Sequence, residues 1–95
     1  PEVSNQAYWA DCAGGPPNGR KLPPGPVQRV CTGLIDAGLR DPVRLSEAYR
    51  YRSIARQKGG DLPGALLDAT AAVEFDPGSA AAKKNLEAVQ KSQNN

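Results

Sequence analysis

The chain has 95 residues, with 12 Lys and Arg against 10 Asp and Glu and a formal net charge of +2. That length fits one small domain with a thin core, and a charge this close to balance names no partner. Histidine is absent, which removes the usual general base and the commonest metal ligand. One Trp, one Phe and three Tyr leave alanine and leucine to do the packing, which favours closely packed helices over a sheet.

In chain order, residues 1–25 read as an irregular arm. The runs Gly14 to Gly19 and Pro23 to Pro26 are turn and extended-chain punctuation. A short helix is expected between Ser4 and Cys12, capped by Ser4 and carrying Tyr8 and Trp9. The first clear helix covers 26–37. Val27, Val30, Cys31, Leu34 and Ile35 share one face of it, and Gly38 stops it. The second covers 42–58, capped by Asp41, with Leu45, Ala48, Tyr49, Arg52 and Ala55 along one side. Gly59 and Gly60 end it. Asp61 caps the third helix, whose stripe is Leu62, Ala65, Leu66, Ala69, Ala72 and Val73, and Asp76-Pro77-Gly78 closes it. Ser79 caps a fourth, over 80–92, with a thin apolar face of Ala82, Leu86 and Val89, and the tail 93–95 is expected to fray. The fold expected is therefore all-α, a helical domain over 26–92 preceded by an arm.

Two cysteines, Cys12 and Cys31, admit two readings. They are either reduced buried thiols or one disulfide, which closes a loop of about 20 residues and stabilises by ~3 kcal/mol. The absence of methionine even at position 1 is what is expected of a processed product or a trimmed fragment, and on that expectation the disulfide reading is preferred, in an oxidising compartment, periplasmic or secreted. Free thiols imply the cytoplasm. With no Cys-x-x-Cys present, the pair reads as a structural staple pinning the arm over the first helix. No leader is visible, as is expected also where one has been removed, and no apolar run approaches the ~20 residues of a membrane span.

Charge is unevenly placed. Residues 40–58 carry six cations and two carboxylates, whereas 61–77 carry four carboxylates and no cation, so the two helices are expected to attract as antiparallel neighbours. Arg52 lies inside an apolar stripe, where an unpaired charge is costly. Asp68 lies beside the facing stripe, so an Arg52–Asp68 ion pair is expected across the hairpin. The other carboxylates, Asp61, Glu74 and Asp76, read like Asp68 as helix-cap or exposed groups with no metal-ligand spacing. No nucleophile elbow or phosphate-binding loop is present, so neither catalysis nor a cofactor is expected.

Tyr49, the turn Lys58-Gly59-Gly60-Asp61, Ala65, Ala72 and Asp76-Pro77 are spaced as in a tetratricopeptide repeat, and the segment 46–79 resembles one complete repeat of that family. Arg52-Ser53, Arg56 and Ala69 stand where the family has a leucine-glycine pair, a tyrosine and an aromatic. The segment Cys31 to Gly38 is similar to stretches preceding such repeats in small exported bacterial proteins, and 80–92 looks like a following first helix. In this frame Tyr8 and Trp9 substitute for a missing helix.

The resemblance implies a non-catalytic protein–protein interaction module holding a peptide or partner helix against its first helices. Carried over by position, the binding residues are Glu47, Arg50, Ile54, Gln57 and Lys58, continued by Lys84 and Ala88. Arg50 and Lys84 suit an acidic partner segment, whereas Ile54 and Ala88 depart from a complete carboxylate clamp. The alternative is a permanent accessory subunit of a larger envelope or membrane complex. Nucleic-acid binding through the basic helix 42–58 is the weaker rival, because an acidic helix adjoins it.

Overall fold

The structure is a computed structural model that describes residues 9–14, 22–38 and 40–94. Four helices follow in order: α1 (Pro24–Asp36), α2 (Pro42–Lys58), α3 (Leu62–Phe75) and α4 (Ala80–Asn94). Residues 9–12 add a helical turn, and the described residues contain no strand. The expected Ser4 cap and Tyr8 lie outside the described residues.

Local chemistry accounts for the helix ends. Asp41 accepts from the amide of Val43, Asp61 from Gly64 and Ser79 from Ala82, all at 3.0–3.1 Å. At the end of α2, Gly60 takes φ +89°, and the amides of Gly60 and Asp61 donate to the carbonyls of Gln57 and Arg56. This is a Schellman turn, and its left-handed residue is glycine because a Cβ there is strained. α1 begins two residues earlier than the sequence suggests. Pro24 and Pro26 both lie in its first turn, where a missing N–H costs no helical hydrogen bond. α4 runs on to Asn94.

α3 folds back against α2, α1 packs on the other side of α2, and α4 packs on α3 while also touching α2. One cluster joins Val27, Cys31 and Leu34 of α1 with Ala48 and Ala55 of α2, covered by Trp9, Leu22 and Tyr51. A second joins Ala65 and Ala69 of α3 with Val89 of α4. The arm thus contributes to the first core. Cys12 and Cys31 are fully buried and joined by a disulfide, with Cα atoms 4.9 Å apart. Arg44 lies over the Trp9 ring at 5.1 Å, holding the same turn from its outer side.

The α2–α3 seam is built from small residues. Ser46 Oγ donates to the Ala72 carbonyl at 2.8 Å, and Ser53 Oγ donates to the Ala65 carbonyl at 2.7 Å. The paired positions rise along α2 as they fall along α3, which makes the hairpin antiparallel. Serine and alanine let the backbones approach closely, and each hydroxyl reaches a carbonyl of the neighbouring helix. Both serines are buried. Neither serine belongs to the stripe expected on this helix, Leu45, Ala48, Tyr49, Arg52 and Ala55.

Candidate functional site

Two polar arrangements distinguish the opposite sides of α2. The first is centred on Asp68. Arg52 Nε and Nη2 donate to its two carboxylate oxygens, each at 2.8 Å, and Arg56 Nη1 donates to Oδ2 at 2.9 Å. Arg52 Nη1 also donates to Thr32 Oγ1 at 3.1 Å, so one guanidinium connects α1, α2 and α3. Its cation lies 5.3 Å from the centroid of Tyr49, which stacks on Phe75 with centroids 5.5 Å apart. The hydrogen bond to Asp68, together with the charge of that carboxylate, raises the Arg52 guanidinium above its ordinary value despite its burial.

Asp68 corrects one expectation. It is 3% exposed, not a surface carboxylate, because two arginines replace the water it gives up. Arg56 belongs to the same cluster, which its replacement of an expected tyrosine did not reveal. The attraction between the basic and acidic helices is therefore concentrated: both ion pairs found among the described residues meet at Asp68.

The second arrangement links α2 and α4. Asn85 Nδ2 donates to Ser53 Oγ at 3.0 Å, and Gln57 Nε2 donates to Ser92 Oγ at 2.9 Å. Ser92 Oγ in turn donates to the carbonyl of Ala88 at 3.1 Å. Partner positions increase together along both helices, so α2 and α4 run side by side in the same direction. Ser53 accepts from α4 while donating to α3, which makes it the point where three helices meet.

These ties decide where the candidate binding residues stand. Glu47, Arg50 and Ile54 are half-buried at i, i+3 and i+7, and Lys58 follows, exposed, one turn on. Lys84 and Ala88 are exposed one turn apart on α4. Gln57 is different, since its amide is engaged by Ser92 and acts as a joint between the helices. Val43 is missing from the sequence-derived set. It precedes Glu47 by one turn and is 53% exposed, so the same face extends to the start of α2. Its placement in a helical register with Glu47, Arg50 and Ile54 was the available signal. Lys91, exposed one turn beyond Ala88, extends the α4 side in the same way.

Arg50 is braced by its neighbour, with its guanidinium carbon 4.5 Å from the Tyr51 ring centroid. The α2–α4 face thus combines Arg50, Lys58, Lys84 and Lys91 with two carboxylates, Glu47 and Glu87, around Ile54 and Ala88, which leaves it net positive. Arg52 and Arg56 are turned away from it toward Asp68. Among the described residues no group of three His, Cys, Asp or Glu side chains could hold a metal ion, and no helix is long and apolar enough to cross a membrane. No family model, curated protein or solved structure matches the chain.

Proposed function

We propose that the chain is a non-catalytic protein-interaction module of tetratricopeptide type, which receives a peptide or partner helix on the α2–α4 face. The observation that carries this reading is the parallel tie of α2 to α4 through Ser53–Asn85 and Gln57–Ser92. It sets two rows of side chains beside each other, with apolar positions between cations. Such a face favours an acidic segment whose apolar residues reach Ile54 and Ala88. The buried disulfide supports a place in an oxidising compartment such as a bacterial periplasm.

The test is a pull-down with cross-linking from the native envelope, comparing wild type with the double variant Arg50→Glu, Lys84→Glu. Capture of a partner that the variant loses while its circular dichroism melt is unchanged supports the reading. Equal capture by both proteins counts against it. A permanent accessory subunit is the second reading, favoured by the exposed Leu67 and Phe75 on the other side of the hairpin. Irreversible aggregation of the isolated chain, unrelieved by salt, would favour it, and a chain that stays folded and dissociates on dilution would favour a transient adaptor.

A further inference from the structure

The outer side of α3 differs in kind from the α2–α4 face. Pro63, Leu67, Thr70 and Glu74 follow at i, i+4, i+7 and i+11, and all four are exposed. Leu67 is 73% exposed, and Phe75 beside Glu74 is 41% exposed. No lysine or arginine occurs between 61 and 77, and Asp68 is withdrawn into its ion pairs. This side therefore presents an apolar knob with a net negative surround. The α2–α4 face presents Ile54 and Ala88 with a net positive surround.

We propose that these two faces are complementary, so that the outer stripe of α3 in one copy seats on the α2–α4 face of a second copy. This rests on the reading of that face as a binding surface and names a second copy of this chain as an occupant. Leu67 and Glu74 are separated by two helical turns, about 10 Å. Leu67 fits against Ile54 and Ala88. Glu74 then falls at one end of the receiving face, and cations stand at both ends: Arg50 and Lys84 at one, Lys58 and Lys91 at the other. Both patches lie on every copy but on different sides of it. The contact is therefore heterologous, and each bound copy leaves one face open at each end. Charge carries much of the attraction, so association weakens as salt rises.

Sedimentation velocity of the full chain over a concentration series tests this, with Leu67→Lys and the double variant Arg50→Glu, Lys84→Glu as probes. The expected result is a mass that increases with protein concentration and falls in high salt. Each variant alone weakens self-association by at least about tenfold. An equimolar mixture of the two forms a one-to-one dimer, because each retains the face the other lacks. A wild type that stays monomeric throughout overturns the proposal, as does self-association that is undiminished in the double variant or a mixture that does not pair. Leu67→Lys also separates this result from the proposed function: it weakens self-association but leaves capture of a different partner intact.

Discussion

Arg52 Nε and Nη2 approach Asp68 Oδ2 and Oδ1 at 2.8 Å each, a two-pronged ion pair with side chains 13% and 4% exposed. This pair ties the middle of α2 to the middle of α3, and Thr32 adds α1 through the same guanidinium. Its energetic importance lies in what happens when one partner is removed. A buried charge left without its counter-charge costs far more than the intact pair contributes.

Asp68→Ala should therefore destabilise the protein by roughly 3 kcal/mol or more, since it leaves two arginines facing an apolar gap. The double variant Arg52→Met, Asp68→Leu should recover a large part of that loss. Chemical denaturation of the single and double variants measures both. Equal losses in Asp68→Ala and the double variant would show that the charges are not coupled.

The pair should also be insensitive to pH through the neutral and mildly alkaline range. The Arg52 guanidinium is raised, first by its hydrogen bond to Asp68. A raised cation contributes stability that is fully present below its unfolded value and is lost only as pH rises through the folded one. Denaturation midpoints of wild type and Arg52→Met, followed from neutral to mildly alkaline buffer, should keep a constant difference.

Reduction of Cys12–Cys31, or the change of both residues to serine, should cost about 3 kcal/mol, because the staple spans 19 positions. Part of the loss should appear as increased Trp9 exposure, since Trp9 packs on the core that contains both cysteines. Thermal melts with and without reductant, read by tryptophan fluorescence, check this. An unchanged melt would remove the staple role. In material isolated from the native host, thiol labelling under denaturing conditions should find no free cysteine if the compartment is oxidising.

Ser53→Leu should destabilise by about 1–3 kcal/mol through overpacking at a site that is 0% exposed. Ser53→Ala should cost about 1 kcal/mol by removing the bond to the Ala65 carbonyl and the acceptor of Asn85. Because Ser53 also holds α4 in place, Ser53→Ala should increase amide exchange in α4 as well as in the hairpin. Exchange that changes only in the hairpin would argue against the three-helix junction.

The ends of the helices were legible in the sequence because they are local. Asp41, Asp61 and Ser79 are capping residues whose side chains need only reach amides two or three positions away. Gly60 adopts a conformation that its neighbours in the chain demand. The faces of α1 and α3 were legible from helical period, as Val27, Cys31, Leu34, Ala65, Ala69 and Ala72 are buried. Arg52 stood out because a charge in an apolar stripe requires a partner. The Arg52–Asp68 pair apart, only the tertiary structure decided which side chains meet across helices. It added Arg56 to Asp68, gave Ser53 to three helices and tied α2 to α4 through Gln57 and Ser92. Period along a chain specifies the side of a helix on which a residue lies. The cost of burying a polar group depends on partners elsewhere in the chain, and those are known only once the helices have packed.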